Sequence, residues 1–237
     1  NATEAIVRSA VLYVLRAWVG DHLPLNEGLL DDVHIKTTEG ILSPVFPEDP
    51  TACPAVVGGN VETSQRIVDV LLDALDLQAN SQGTMNNFLF GNAAFAYYET
   101  IGGGSGAGPG WSGLSGTHVH MSNTAITDPE ILERRFPVRL LSFSLRKGSG
   151  GRGRWSGGCG LEREFEFLEG MTVSMLTQRR KKAPRGKKGG AAGLPGRQDI
   201  LRRDGSCEEL PEICSFTVET GERVRILTPG GGGWGEP

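Results

Sequence analysis

The sequence Glu162-Arg-Glu-Phe-Glu-Phe-Leu168 alternates charged and apolar side chains, and it predicts a β-strand over Leu161 to Leu168 with one buried and one solvated face. Five more short alternating segments lie around this strand after Pro137, and glycine or acidic turn residues separate most of them. They are Val138 to Leu145, Met171 to Leu176, Asp199 to Arg203, Ser215 to Glu219 and Glu222 to Leu227. The second half of the chain is therefore predicted to be mainly antiparallel β structure.

The first half of the chain shows helical periodicity instead. A helix is predicted over residues 3 to 19, a second from about Thr63 to Leu75, and a third beginning at Asp128-Pro129-Glu130. The core-facing stripe of the first helix comprises Val7, Ala10, Val11, Val14, Leu15 and Trp18. The apolar side of the second helix comprises Ile67, Val70, Leu71, Ala74 and Leu75. A short strand is also predicted over Asp31 to Thr37.

These patterns predict an α+β fold in which a helix-containing first half packs with a mainly antiparallel β second half. The two portions, residues 1–137 and 138–237, join where the character of the sequence changes. The chain begins at Asn1 rather than at a methionine and leads almost directly into a helix. We therefore expect it to be a fragment of a larger protein.

Composition and charge argue against several classes of protein. The net charge is −4, from 24 basic and 28 acidic residues, so no overall charge attracts nucleic acid or an anionic membrane. The sequence contains no run of about 18 apolar residues, so it predicts no membrane-spanning helix. The four cysteines lack the spacing of a zinc site, and we expect them to be reduced thiols in the cytoplasm.

Glycine accounts for 35 of the 237 residues and is concentrated in four blocks. The blocks are Gly102 to Gly108, Gly148 to Gly160, Gly186 to Gly190 and Thr228 to Pro237. Because glycine loses much entropy on folding, ordered proteins keep it where the backbone turns sharply or approaches another group closely. Arg, Trp, Cys and Pro within these blocks distinguish them from flexible linkers. For the block that starts at Gly148, a tight connection between strands is favoured over a phosphate-binding loop.

The segment Thr117 to Thr124 holds the densest group of chemically capable side chains. If it is extended, His118 and His120 point to the same face, as a metal site or an acid–base pair would need. No carboxylate lies within the segment to complete a metal site. Two interpretations therefore remain open: the histidines form a functional pair, or they are structural residues held by hydrogen bonds.

A basic segment lies at residues 179 to 188, where seven of ten residues are lysine or arginine. A nucleic-acid surface would interleave aromatic or base-reading side chains with these cations, and none occurs here. The segment is therefore predicted to be a solvated surface loop.

Taken together, these segments resemble the C-terminal part of the hydantoinase B/oxoprolinase family. The matching segments are Val56 to Gln65, Ser81 to Asn87, Tyr97 to Gly108, His118 to Glu133, Arg146 to Arg154 and Thr228 to Gly235. Each glycine-rich string alone is weak evidence for the family, but the order and spacing of all the segments together are specific to it. We therefore expect residues 1–137 and 138–237 to be two portions of the same family domain.

The resemblance implies an enzyme that opens the lactam of 5-oxo-L-proline to L-glutamate, coupled to hydrolysis of ATP to ADP and phosphate. A fragment of an ATP-dependent hydantoinase, which opens the hydantoin ring, and a non-catalytic assembly segment are the alternatives. ATP and Mg belong, by this resemblance, to an actin-like ATPase portion or subunit outside this sequence. Whether a missing N-terminal portion holds a divalent metal is left open, and no metal or cofactor is expected within this chain.

The resemblance also implies roles for individual residues. His118 and His120 are the expected catalytic residues, orienting water or protonating the leaving amine. The expected substrate-binding residues are Ser122, Asn123, Asn86 and Asn87. We further expect a cytoplasmic homo-oligomer in glutathione metabolism, with no nucleic-acid or membrane partner.

Overall fold

The computed structural model describes residues 1–20, 24 and 26–237, and these contain three α-helices and nine β-strands. The helices are α1 (Glu4–Val19), α2 (Ser64–Ala74) and α3 (Pro129–Arg135). The strands are β1 (Asn87–Gly91), β2 (Ala96–Glu99), β3 (Val138–Leu145), β4 (Leu161–Phe167), β5 (Met171–Leu176), β6 (Arg197–Leu201), β7 (Cys207–Glu209), β8 (Ile213–Val218) and β9 (Arg223–Leu227). The predicted α+β class is confirmed.

The strands form two antiparallel sheets that share one core. The first sheet has the order β2-β1-β5-β8 and the second has the order β3-β4-β9-β6-β7. Their facing sides meet through aromatic rings, with Phe88 of β1 and Phe165 of β4 only 4.9 Å apart between centroids. Because β1 pairs with β5, strands from residues 1–137 and 138–237 belong to the same sheet.

Most of the predicted strands are present, because their alternation reflects one buried and one open face. The bounds of β3 and β5 are those predicted, and β4 ends one residue earlier. β1, β2 and β7 were not predicted. The strand expected over Asp31 to Thr37 is wrong, because no described strand pairs with this segment. Alternation without a hydrogen-bonding neighbour does not make a strand.

The three predicted helices exist, but one of them turns a different face to the core. Of the predicted apolar side of α2, Ile67 and Leu71 are partly buried against the core, whereas Val70 is 65% exposed and Leu75 is also exposed. The residues of α2 that are buried are Ser64, Gln65, Val68, Asp69 and Leu72. In α1 the stripe is buried at Val7, Ala10 and Val14, whereas Trp18 is exposed. Polar side chains of α2 are buried because charged and amide groups from distant loops pack on them.

The glycine blocks pack against one another and form a second, backbone-lined core. The Gly158 amide donates to the Ser105 carbonyl at 2.9 Å, and the Gly231 amide donates to the Gly158 carbonyl at 2.9 Å. A Cβ on Gly231 would overlap the carbonyl group of Ser105, so no larger residue fits there. The blocks are therefore ordered structure, as predicted, held by contacts between backbones.

Two further properties of the fold bear on the protein's class. The four cysteines are free thiols in the structure. Among the helices that the structure describes, none combines the length and apolar character needed to cross a membrane.

Candidate functional site

A π-helical turn, Gly59–Thr63, leads directly into α2. Gln65 and Arg66 lie three and four residues after Glu62 and four and three residues before Asp69, so all four share one side of the helix. Glu62, Gln65 and Asp69 are buried. Single π-helical turns within α-helices occur frequently at functional sites. This polar side of α2 is the base on which the candidate site is built.

Asp69 is the hydrogen-bond acceptor at the centre of the site. Its Oδ1 accepts from His120 Nε2 at 2.9 Å and from the Ser81 amide at 3.0 Å, and its Oδ2 accepts from Arg179 Nη2 at 2.7 Å. Burial raises the pKa of Asp69, but the contacts with His120, Arg179 and Ser81 outweigh it and lower this pKa below its ordinary value. The carboxylate is therefore ionised at neutral pH.

The residues around Asp69 adopt uncommon backbone conformations. Asn86, His120 and Arg179 are three of the five described non-glycine residues with positive φ, at 46°, 57° and 60°. Gly83 also has a positive φ of 56°, and a Cβ there would collide with Asp69 Oδ2. Residues in sparsely populated conformations cluster at functional sites, where the surrounding structure holds them.

A cavity of about 420 Å³ opens beside Asp69. It is lined by Arg66, Asp69, Val70, Asn80, Arg179, Lys182, Ala183 and Arg185. Four cations and one carboxylate thus face the cavity, so its potential favours an anion. Arg66 Nη1 lies 4.0 Å from Asp69 Oδ2, beyond hydrogen-bond distance.

Glu62 is a second buried carboxyl group on the same side of α2. Its Oε1 accepts from Thr84 Oγ1 at 3.0 Å, from Asn87 Nδ2 at 3.0 Å and from the Met85 amide at 3.3 Å. Its Oε2 is buried and has no hydrogen-bond partner among the described residues. Burial raises the pKa of Glu62 to about 7 despite these hydrogen bonds. Sequence reasoning missed Glu62, although it lies within the matching segment 56–65.

The two predicted histidines contact different partners. Instead of continuing as a strand, the segment turns at His120, whose side chain is 3% exposed and contacts Asp69. His118 Nε2 lies 3.0 Å from Thr124 Oγ1, and its Nδ1 has no hydrogen-bond partner within the described part of the chain. Burial lowers the pKa of His118. Neither histidine lines the cavity beside Asp69, and His120 reaches it only through that carboxylate. Their catalytic role stays a prediction.

The predicted amide ligands are already bonded within the protein. Asn86 Nδ2 donates to Gln82 Oε1 at 2.8 Å, and its Oδ1 accepts from Arg180 Nη1 at 2.7 Å. Asn87 Oδ1 accepts from the Tyr98 hydroxyl at 2.7 Å. Both asparagines are buried and hold the loop that faces α2. Substrate binding by either amide stays a prediction.

Ser122 and Asn123 differ in exposure. The Ser122 hydroxyl donates to the Val119 carbonyl at 2.7 Å and is buried, whereas Asn123 is exposed. Neither lines the cavity beside Asp69. Their predicted contact with substrate stays a prediction.

The basic segment 179–188 lies beside α2 and is only partly the solvated loop that was predicted. Lys181, Lys182, Arg185 and Lys188 are exposed, whereas Arg179 is buried and Arg180 and Lys187 are partly buried. Besides the Arg179–Asp69 pair, Lys187 lies 2.8 Å from Asp73 and 2.8 Å from Asp76. Further pairs join Arg185 to Asp73 and Lys188 to Asp76. The row of acids at 69, 73 and 76 could have indicated this packing, because such spacing puts carboxylates on one side of a helix.

A metal site does not fit the described residues. No group of three or more His, Cys, Asp or Glu side chains within residues 1–20, 24 and 26–237 has the arrangement needed to hold a metal ion. Asp69 and His120 make a single pair, and the other side-chain neighbours of Asp69 are cations. The charges around Asp69 therefore suit an anion better than a metal cation.

Comparison with solved structures supports the fold. The chain superposes on the crystal structure of ATP-dependent caprolactamase from Pseudomonas jessenii with a TM-score of 0.78 and 23% identity, over 97% of this chain and 42% of that one. At this identity the likeness shows a common fold alone.

Comparison with sequences supports the family. The chain is 50% identical over 235 residues to 5-oxoprolinase 1 of Arabidopsis thaliana, covering 99% of this chain and 18% of that protein. It is 46% identical over 237 residues to 5-oxoprolinase of Dictyostelium discoideum, covering 100% of this chain and 18% of that protein. It thus spans less than a fifth of the length of these relatives. The family model described as hydantoinase B/oxoprolinase matches residues 1–237. The chain belongs to the hydantoinase B/oxoprolinase family.

Proposed function

We propose that this chain is part of an ATP-dependent cyclic amide hydrolase that opens 5-oxo-L-proline to L-glutamate. One observation carries the proposal: the family-matching segments 56–65, 81–87 and 118–133 all reach the neighbourhood of Asp69, beside a cavity of cations. The names of the two relatives, both 5-oxoprolinases, support the same substrate.

The chemistry of this ring explains the need for ATP. An unstrained lactam is a poor electrophile, and an ATP-derived phosphoryl group on the amide oxygen makes the ring carbon more electrophilic. Water adds to that carbon, the ring C–N bond breaks as the nitrogen takes up a proton, and hydrolysis of the resulting acyl phosphate gives glutamate and phosphate. In this proposal an actin-like ATPase portion or subunit supplies that group. This chain then contributes binding and proton transfer at the ring.

The two histidines receive different roles in this proposal. Burial lowers the pKa of His118, which favours the neutral imidazole, the form that accepts a proton from the attacking water in this proposal. His120 instead holds Asp69 in place, because it bonds that carboxylate directly. Asp69 in turn fixes Arg179, which lines the cavity.

The test uses the full-length enzyme that contains this chain. We expect 5-oxoproline to stimulate ADP release with matching formation of glutamate, and His118→Ala with His120→Ala to abolish that coupled turnover. His34→Ala is the matched control, because His34 is exposed. Retained coupled turnover in a folded double variant would favour the non-catalytic assembly segment instead.

Hydantoin is the alternative ring, and the charge of the cavity distinguishes the two. Hydantoin has no carboxylate, whereas 5-oxoproline has one that suits a cavity facing four cations. Turnover of hydantoin at a kcat/KM equal to or above that of 5-oxoproline would replace the proposed substrate.

The proposal includes the cellular context of the enzyme. The enzyme is proposed to be a cytoplasmic homo-oligomer that acts in glutathione metabolism. The ion pairs of segment 179–188 with Asp73 on α2 and with Asp76 just after it support a function without a nucleic-acid partner.

A further inference from the structure

Buried polar atoms without partners are concentrated on the segments that meet at Asp69. Ten such atoms occur among the described residues, and seven of them belong to Glu62, Gln65, Arg66, Gln82, Arg179 and Arg180. Buried polar groups in native proteins are nearly always hydrogen-bonded, so each exception needs an explanation. Of these side chains, Arg66 and Arg179 line the cavity beside Asp69, where water or a bound molecule would supply the missing partners.

Two of these atoms converge at the cavity. The position that a Cβ on Gly83 would take lies 3.2 Å from Arg66 Nη1 and 3.5 Å from Arg179 Nε. Both nitrogens lack a partner in the described structure, and both side chains line the cavity. The same position lies 2.5 Å from Asp69 Oδ2, so the glycine keeps a side chain out of the place where the two arginines and Asp69 meet.

Arg179 is held rigidly enough to recognise a ligand. Its side chain is 8% exposed, and Nη2 is fixed at 2.7 Å from Asp69 Oδ2. This leaves the Nε–H as a donor whose direction is set by the rest of the guanidinium group. Arg66 is the adaptable partner, because its side chain is 31% exposed and lies 4.0 Å from Asp69.

The charges at the cavity favour an anion between the two arginines. Burial, followed by the repulsion from Arg179, lowers the pKa of Arg66. An anion placed between them would relieve that repulsion and satisfy both free N–H groups. Lys182 lines the same cavity and forms no ion pair with the described residues. Arginine binds carboxylate and phosphate well, since its planar donors match their geometry.

We propose that Arg66, Arg179 and Lys182 form an oxyanion site beside Gly83 that binds the carboxylate or the phosphoryl group of the bound lactam. This proposal rests on the proposed function for the identity of the lactam. The shared chemistry is a tetrahedral or planar group of anionic oxygens, held by charge-assisted hydrogen bonds.

The first test compares Arg66→Met with Arg139→Met in the full-length enzyme. Arg139 is the matched control, because it lies on β3 with its side chain 58% exposed and pairs only with Glu166 among the described residues. If the site binds the substrate carboxylate, KM for 5-oxoproline rises about ten- to a hundredfold in Arg66→Met while kcat changes little. Lys182→Met should act in the same direction.

A phosphoryl group gives a different result in the same assay. In that case kcat falls in Arg66→Met, KM for 5-oxoproline stays near its original value, and inhibition by inorganic phosphate weakens. The proposal is overturned if KM, kcat and phosphate inhibition of both Arg66→Met and Lys182→Met equal those of the control.

Direct binding separates this proposal from the proposed function. Titration calorimetry with inorganic phosphate on the full-length protein is expected to show at least tenfold weaker binding for Arg66→Met than for Arg139→Met. If that difference occurs in an enzyme that does not open 5-oxoproline, the oxyanion site stands and the proposed function fails. If the enzyme opens 5-oxoproline but phosphate binding, KM and kcat are unchanged by substitution of Arg66 or Lys182, the oxyanion site is rejected and the proposed function stands.

Discussion

Replacing Asp69 by Asn tests the buried centre of the site. The substitution keeps the shape of the side chain but removes its charge, and it leaves Arg179 as a buried cation whose side chain is 8% exposed. Breaking a buried ion pair by removing one partner costs about 3 to 5 kcal/mol. The amide also cannot accept with both of its terminal atoms, so one contact among His120, Ser81 and Arg179 is lost. We expect Asp69→Asn to lower the free energy of unfolding by about that amount.

The matched control is Asp73→Asn, one turn further along α2. Asp73 also pairs with cations of segment 179–188, but its side chain is 33% exposed against 4% for Asp69, and its partners Arg185 and Lys187 are 75% and 16% exposed. Ion pairs of this kind contribute about 0 to 1 kcal/mol. Urea unfolding of both variants at pH 7, followed by tryptophan fluorescence, gives the comparison. Equal losses of stability in the two variants would refute the reasoning that burial makes Asp69 the central contact.

Three more predictions concern Glu62, the glycine blocks and the histidines. Because the pKa of buried Glu62 is raised from 4.5 to about 7, the protonated form is favoured on folding, and this stabilisation is lost as pH rises from 4.5 to 7. Urea unfolding at pH 5 and pH 8 should therefore show a smaller loss of stability in Glu62→Gln than in the wild type, and equal losses would contradict it. Gly231→Ala should prevent folding or cost several kcal/mol, whereas Gly58→Ala should be tolerated because its Cβ meets open space; circular dichroism on both variants tests this. His120→Ala should destabilise the protein more than His118→Ala, because only His120 bonds a buried charge, and thermal unfolding that ranks them in reverse would refute this.

The sequence predicts the elements whose pattern depends on local geometry. The N-terminal cap of α3 is an example, because Asp128 accepts from the amides of Glu130 and Ile131 as its position before Pro129 indicates. The strands β3 to β5 follow from alternation, because one face of each lies on the shared core.

The buried face of α2 could not be predicted from hydrophobic periodicity. The apolar side includes Val70, which is exposed, and the polar side contains Asp69, which is buried. The groups that cover Asp69 come from Ser81, His120 and Arg179, and two of these lie 51 and 110 residues away. Only tertiary structure brings such distant donors to one carboxylate.

Part of the candidate site could be predicted from the sequence. Chemically capable side chains are evident in the segment Thr117 to Thr124, and His120 does reach the cavity through Asp69. Gly83 lies within a segment that carried the family resemblance, but the reason for a glycine there is the collision of a Cβ with Asp69. The unpartnered atoms of Arg66 and Arg179 are visible only once the fold is known.

The most direct test is a crystal structure of the full-length enzyme with 5-oxoproline bound. We expect anionic oxygens of the bound molecule within about 3 Å of Arg66 Nη1 and Arg179 Nε. A complex with 5-oxoproline bound elsewhere, and with these two nitrogens still lacking an acceptor, would contradict it.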